Sequence, residues 1–166
     1  MAAPTLKRVT TEYVDLQDRI RLSGDLDGAP PVVIWMTQRL LTRMLPTLLQ
    51  WLEKQTPELP RSEAIQSFVQ QAARAELPRQ APVRAVPESV EWLAKSVDLT
   101  MAPTVLTMVF FGTGEQSVSL PLAAKPLRQW LGIVHDAWRK AGWPAEVWPA
   151  WLQESVAVGQ DRAALH

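Results

Sequence analysis

His135 is the residue of this sequence whose type most directly suggests catalytic or metal chemistry. Its imidazole titrates near neutral pH and is a common metal ligand. Such chemistry also needs partners at fixed spacing, and the sequence contains neither a His-x-x-x-His pair nor a Gly-x-Ser-x-Gly turn. Asp136 follows directly, but nothing in the sequence places a serine with the two. We therefore interpret His135 as a structural residue on a helix flank or at an interface, and retain it as the probe of any ligand pocket.

Four arginines form a second candidate, as an anion or nucleic-acid contact. Arg19 and Arg21 share the polar side of one predicted strand, and Arg39 and Arg43 lie one turn apart on a predicted helix. If the hairpin folds back on that helix, the four guanidinium groups approach one another and can bind phosphates. The alternative is a solvated surface with local ion pairs to the acidic residues nearby in the sequence, Asp18, Asp25 and Asp27.

Two glycine-containing segments match ligand loops only in part. Asp25-Leu26-Asp27-Gly28 begins like a calcium loop, but no glutamate stands at its twelfth position. Gly112-Thr113-Gly114 lacks the third glycine of a dinucleotide loop, and a strand pattern rather than a helix follows it. Because glycine is favoured where a hairpin turn needs positive φ, we interpret both segments as turns. The sequence predicts no cofactor and no metal site.

Three of the eight tryptophans lie in a proline-broken segment, 143–152, near the end of the chain. They are Trp143, Trp148 and Trp151. Indoles in such a segment either cap an open end of the core or anchor a protein partner. The sequence favours capping and leaves docking as the alternative.

Composition limits the functional classes. The 166 residues are 47% hydrophobic and 20% charged, which is typical of a folded domain. Because 17 basic residues balance 17 acidic ones, no general attraction to nucleic acid or to an anionic membrane is expected. The absence of cysteine excludes disulfides, thiol nucleophiles and thiolate metal sites.

The sequence also suggests where the protein works. The first eight residues lack an apolar run, and no stretch approaches the length of a membrane span. We therefore expect a cytoplasmic protein without membrane contact. Arginine outnumbers lysine twelve to five, and alanine and proline are plentiful, which suggests a bacterial source with a GC-rich genome.

The first half of the chain predicts strands followed by a helix. Hydrophobic alternation and a β-branched run favour strands over 12–16, 19–26 and 32–36. Thr37 is placed to cap a helix that Pro57 ends, with Pro46 inside it. The apolar stripe of this helix comprises Leu40, Leu41, Met44, Leu45, Leu48, Leu49 and Leu52.

A further helix and a connector are predicted before the strand patterns resume. The helix spans 62–77, with Ser62 as its cap and one apolar face made of Ile65, Phe68, Val69, Ala72 and Ala73. Three prolines in ten residues make 78–87 an extended connector.

The second half of the chain predicts the same succession of elements. Strand patterns cover 96–101, 105–111 and 118–122. Pro126 opens the last helix and Gly142 ends it. Its apolar stripe comprises Leu127, Trp130, Leu131, Val134 and Trp138.

These two halves align with a constant shift of 86 residues. Gly28 falls on Gly114, and Pro46 falls on Gly132. A one-residue slip upstream pairs Val14 with Leu99 and Leu16 with Met101. The alignment predicts an internal duplication, with β-β-β-α units over about 10–56 and about 88–142.

We therefore predict a single α+β domain of two layers. Two β-β-β-α units related by a pseudo-twofold axis contribute an antiparallel sheet, with the helices mainly on one face. The strands either pool in one sheet or pack face to face.

No motif names a reaction, so three functions stay open. The first is a non-enzymatic interaction or assembly factor that contacts a protein partner or a second copy through the uncovered sheet face or the C-terminal Trp-Pro segment. The second is nucleic-acid binding through a sheet face flanked by the four arginines. The third is a ligand pocket or an enzyme site between the two units. The absence of a recognisable catalytic set favours a protein that is not an enzyme.

Overall fold

The computed structural model describes residues 2–56 and 63–153 of the chain. Ser62, Pro57 and His166 lie outside the described residues, so the helix cap and helix stop expected at the first two are not described. The elements are β1 Val9–Val14, β2 Arg19–Leu26, β3 Ala29–Met36, α1 Gln38–Lys54, α2 Glu63–Ala75, β4 Glu91–Leu93, β5 Ser96–Met101, β6 Val105–Phe111, β7 Ser117–Ala123 and α3 Ala124–Ala141.

The strands form two sheets, and the predicted α+β class is confirmed. One sheet has the order β1-β2-β3-β4 and the other has the order β5-β6-β7. Neighbouring strands are antiparallel except β3 and β4, which are parallel. Strand β4 was not predicted, because three residues are too few to show an alternating pattern.

The hydrogen-bond register of the two hairpins follows the 86-residue shift. Helices α1 and α3, which come after the hairpins, begin at Gln38 and Ala124, again 86 residues apart. Gly28 and Gly114 both have positive φ, at 69° and 60°, as their turns require. The matching strand pairs are Ile20–Met36 with Leu106–Leu122, and Leu22–Ile34 with Met108–Leu120.

Two segments cross from one sheet to the other at equivalent positions. Thr5 forms a parallel bridge with Ser119 of β7, and Glu91 of β4 pairs in parallel with Val33 of β3. The Ser119 N–H donates to the carbonyl of Pro4 at 2.8 Å, and the Val33 N–H donates to the carbonyl of Val90 at 2.9 Å. The 86-residue shift therefore also relates these two crossing segments, because Thr5 corresponds to Glu91 and Val33 corresponds to Ser119.

The predicted alignment upstream of the hairpins is wrong. Leu99 corresponds to Thr11 rather than to Val14, because the two residues pair with equivalent positions of β6 and β2. The second unit has two more residues between its crossing segment and the following strand than the first unit has. Leu16 lies outside the strands, in a turn of 3-10 helix over Asp15–Gln17, and is 98% exposed.

The predicted helix ends are largely confirmed. The Leu40 N–H donates to the Thr37 hydroxyl at 3.1 Å, which caps α1. Gly142 ends α3 in the left-handed conformation with φ 70°. Helix α3 begins two residues before Pro126, and its cap residue, Ala123, makes no side-chain hydrogen bond.

One buried apolar cluster includes residues of both units. Helix α3 packs on β1 and helix α1 packs on β5, so each contacts a strand of the other unit. The Trp130 indole N–H donates to the Thr11 hydroxyl at 3.0 Å. Both predicted stripes are buried, apart from the half-buried Leu40. None of the helices in the described ranges combines the length and apolarity needed to cross a bilayer.

Candidate functional site

Helix α2 packs against α3 through its polar face. The Gln70 side-chain amide donates to the backbone carbonyl of Arg128 at 2.8 Å, and the Arg128 Nη2 donates to the Gln66 side-chain oxygen at 2.6 Å. Four residues beyond Gln70, Arg74 forms an ion pair with Asp136 at 3.2 Å. Gln66 and Gln70 are both buried. The contact between the two helices is therefore made largely of polar groups.

The apolar face of α2 consequently points away from the core. Of the five residues predicted to form this face, only Ala73 is buried. Phe68 is 72% exposed, and Ala64 and Ala72, one turn before and one turn after it, are exposed as well. Amphipathic helices of globular proteins normally bury their apolar side. We call the row formed by Ala64, Phe68 and Ala72 the outer face of α2.

A cavity of about 250 Å³ lies beside the outer face. It opens between the end of α1, the middle of α2 and the start of α3, and therefore between the two units. Its walls are mainly apolar and include Val69, Ala72, Ala73 and Ala124. Its polar lining comes from residues just after α1 and α2 and from the start of α3: Gln55, Thr56, Glu76, Lys125 and Arg128. The ligand-pocket hypothesis placed a pocket between the units, but with His135 as its anchor; His135 does not line this cavity.

Arg128 is a buried cation without a carboxylate partner in the described part of the chain. It is 2% exposed, and its Nη1 has no hydrogen-bond partner. Burial lowers the pKa of Arg128 to about 10, although the Glu53 carboxylate acts in the opposite direction. The guanidinium also lies over the Trp151 ring, 5.4 Å from its centroid. Because burying an unpaired charge costs on the order of several kcal/mol, an anion bound beside this guanidinium would stabilise the protein.

The start of α3 adds to the positive potential at the cavity. Ala124 and Lys125, the first two residues of the helix, line the cavity. The first N–H groups of a helix lack intrahelical partners and carry partial positive charge. The N–H groups concerned are those of Ala124 and Lys125, because Pro126 has none, and Ala123 has no side-chain acceptor for them. The Lys125 ammonium is paired with Glu76, so the positive charge left without an ion pair here is that of Arg128.

The four arginines singled out from the sequence do not form one cluster. Arg39 and Arg43 line an open depression near the start of α1, together with Asp18. Arg21 lines a different depression. Arg19 begins β2 opposite Val14 and lines neither of them.

The depression that contains Arg21 lies on the outer side of the first sheet and measures about 440 Å³. The predicted connector crosses it, and the Val83 N–H donates to the Thr10 hydroxyl at 2.8 Å. Arg21 pairs with Glu12 at 2.5 Å, and Glu91 also lines the depression. Two carboxylates in this small space disfavour a phosphate backbone. The geometry therefore does not support the nucleic-acid contact expected at this sheet face.

All three tryptophans of the C-terminal segment are buried. Trp143 is 9% exposed, and Trp148 and Trp151 are 3% exposed. The Trp143 indole packs edge-on against Trp138 at a centroid distance of 5.0 Å and donates to Asp18 at 3.0 Å. In these positions the indoles cap the core, as the favoured interpretation held. They are not available as anchors for a partner, which argues against the docking alternative.

His135 lies inside this aromatic cap. It is 2% exposed and packs edge-on against Trp148, with ring centroids 4.9 Å apart. Burial lowers the pKa of His135 to about 4, with Asp136 opposing the shift and Arg139 and Arg74 adding to it. The imidazole is therefore neutral at physiological pH and packs as an aromatic ring, in keeping with a structural role.

Sequence reasoning missed Arg128 and the orientation of α2. Arg128 directly follows Leu127 at the edge of the α3 stripe, where a cation on a solvated flank is ordinary. Its burial arises only because α2 covers that flank. The glutamines spaced by four in α2, Gln66 and Gln70, are the sequence signal that a polar face could be the packed one.

Comparison with known proteins returns no match: no protein-family model, no curated protein and no solved structure matches this chain. Within the described ranges, no group of three or more histidine and acidic side chains could hold a metal ion.

Proposed function

We propose that the protein is a non-enzymatic interaction or assembly factor, and that it pairs with a second copy of itself through the outer face of α2. The observation that carries this proposal is the orientation of α2, which packs its glutamines inward and leaves Phe68 72% exposed. Exposed apolar surface of this kind is typical of interfaces.

The shape of the outer face suits a second copy. Phe68 is flanked by alanines four residues on either side, Ala64 and Ala72. In an antiparallel pair of α2 helices centred on Phe68, Ala64 of one copy lies opposite Ala72 of the other, and these small side chains leave room for the two phenyl rings to pack between the helices. A twofold contact of this kind is self-complementary, as homodimer interfaces must be.

The helix dipole of α2 favours the antiparallel direction. Antiparallel pairing sets the positive end of one α2 helix beside the negative end of the other, whereas parallel pairing aligns like ends. Arg74 takes no part in this contact, because it lies on the inner side of α2 and pairs with Asp136.

The test is the molar mass in solution, measured by light scattering on a size-exclusion column over a range of concentrations. The full chain is expected at twice its mass of 18.6 kDa. Phe68→Glu is expected to be monomeric under the same conditions, because burying one phenyl side chain is worth about 1.5–3 kcal/mol and a twofold contact buries two. Leu16→Glu, at a side chain that is 98% exposed but far from α2 in sequence, is the matched control and should remain dimeric. A monomeric wild type, or a dimeric Phe68→Glu, contradicts the proposal.

We also infer that the two β-β-β-α units arose by duplication and are related by a pseudo-twofold axis. Support comes from the shared 86-residue shift of the strand pairs, the helix starts and the two crossing segments. Helix α2 lies between the two units and has no counterpart in either of them. Superposing the two units of an experimental structure tests the relation; a rotation far from a half-turn contradicts it.

A further inference from the structure

We propose that the cavity between α1, α2 and α3 is a binding site for a small carboxylic acid with a short apolar chain, and that Arg128 is its anion receptor. This site and the contact between copies proposed above share only Ala72. The site otherwise uses the interior of the helix cluster, whereas that contact otherwise uses Ala64 and Phe68 on the outer face of α2.

The anion end of the site is defined by Arg128. Its guanidinium is buried, is paired with no carboxylate of the described residues, and keeps Nη1 without a hydrogen-bond partner. Nη2 is already held by Gln66, and the guanidinium is stacked near Trp151. These contacts fix the plane of the group before any ligand arrives, which lowers the ordering cost of binding. A carboxylate is the anion whose geometry a guanidinium matches best in a small space.

The start of α3 lines the same cavity as Arg128. Ala124 and Lys125 line it, and no side chain caps the helix at Ala123. A carboxylate at a helix N-terminus is stabilised by the free N–H groups there and by the helix dipole. The uncapped helix start and the unpartnered Arg128 are two independent features, and both line the same cavity.

The remaining walls define the rest of the ligand. Val69, Ala72 and Ala73 offer apolar surface, and Glu76 is neutralised by Lys125. The volume of about 250 Å³ lies just below the range of roughly 300–1,000 Å³ that small-molecule sites usually occupy. A nucleotide or a sugar phosphate is therefore too large and too polar, whereas an aliphatic monocarboxylate of medium length fits in both size and polarity.

The test is a calorimetric titration of the full-length protein with hexanoate, with hexanamide as the matched probe that lacks the charge. Hexanoate is expected to bind saturably in the millimolar range or tighter, and hexanamide at least tenfold more weakly. Quenching of tryptophan fluorescence is a second readout, since Trp151 lies next to Arg128. Absence of hexanoate binding, or equal binding of the two probes, overturns the proposal.

Two variants separate the site from a folding defect. Arg128→Gln is expected to abolish hexanoate binding, and Val69→Phe, which keeps Arg128 but places a ring in the cavity wall, should also weaken it severely. Arg39→Gln, which removes an exposed arginine elsewhere, is the control and should bind as the wild type does. Circular dichroism establishes that each variant is folded. If folded Arg128→Gln binds hexanoate as the wild type does, the assignment of Arg128 is refuted.

The monomeric variant distinguishes this proposal from the proposed dimer. Phe68 does not line the cavity, so Phe68→Glu is expected to bind hexanoate with wild-type affinity whether or not the wild type dimerises. A tighter affinity in Phe68→Glu would mean that a carboxylate of the second copy competes for Arg128 in the dimer. That result would contradict the assignment of the site to a free acid.

Discussion

Protonation of His135 is expected to unfold the aromatic cap, and replacement by leucine should remove this sensitivity to acid. The imidazole is 2% exposed, and burial lowers its pKa from 6.5 to about 4. The unfolded chain binds a proton with the ordinary pKa, so between these two values it binds more protons than the folded chain does. The stabilising effect of a neutral His135 is therefore complete above about pH 6.5 and is lost as the pH falls towards 4.

The size of the effect follows from the shift in pKa. Each unit is worth about 1.4 kcal/mol, so the full loss is about 3 kcal/mol. Of this, about 2 kcal/mol falls between roughly pH 7 and pH 5, where most carboxyl groups are still ionised. Since whole domains are stable by only about 5–15 kcal/mol, a loss of this size is readily measured.

The assay is urea denaturation followed by tryptophan fluorescence at a series of pH values. His135→Leu keeps a buried apolar side chain of similar size and cannot be protonated. Subtracting its free energy of unfolding from that of the wild type isolates His135, because His166 and every carboxyl group are common to both proteins. The difference should change by about 2 kcal/mol between pH 7 and pH 5. Parallel curves for the two proteins would refute the reasoning that His135 is buried in its neutral form.

Two further predictions test the strand exchange and the uncapped helix. Leu6→Ala is expected to destabilise the protein by about 2–5 kcal/mol in denaturant titrations, because Leu6 is 3% exposed and packs on Gly24 where the N-terminal segment crosses between the sheets. A loss below about 1 kcal/mol would show that the crossing contributes little. Ala123→Asp is expected to stabilise the protein by about 0.3–1 kcal/mol through the dipole of α3, because Pro126 lacks the N–H that a cap residue usually bonds, and to weaken hexanoate binding by placing a carboxylate at the N–H groups of Ala124 and Lys125. Unchanged stability and affinity in this variant would contradict an open helix start.

Much of the fold could be predicted from local pattern. The leucine stripe of α1 has one period throughout and a cap residue, Thr37, directly before it, so the start and the buried side of the helix follow from the sequence. The turns at Gly28 and Gly114 are equally local, because positive φ favours glycine. These features depend on neighbours within a few residues.

The candidate site depends on contacts between distant residues, and the sequence does not reveal those. Helix α2 has an apolar face and a polar face, and the rule that apolar faces pack inward indicates the wrong one. Its glutamines pack inward because Arg128 and its backbone carbonyl, some 60 residues away along the chain, offer hydrogen bonds there. Strand β4 likewise depends on a distant contact. Its three residues form a strand because they pair with β3, which lies more than 50 residues earlier in the chain.

The central claim is that two copies meet antiparallel through the outer face of α2, and site-specific disulfide formation tests it most directly. The chain has no cysteine, so single-cysteine variants introduce the only thiol. In an equimolar mixture of Ala64→Cys and Ala72→Cys, antiparallel packing about Phe68 predicts that the mixed disulfide forms much more than twice as fast as either disulfide between identical variants, since random collision alone gives a ratio of two. Leu16→Cys, at an equally exposed position outside α2, sets the rate of random collision. Cross-linking of all pairs at that background rate, or faster linkage between identical variants, would contradict the proposed pairing.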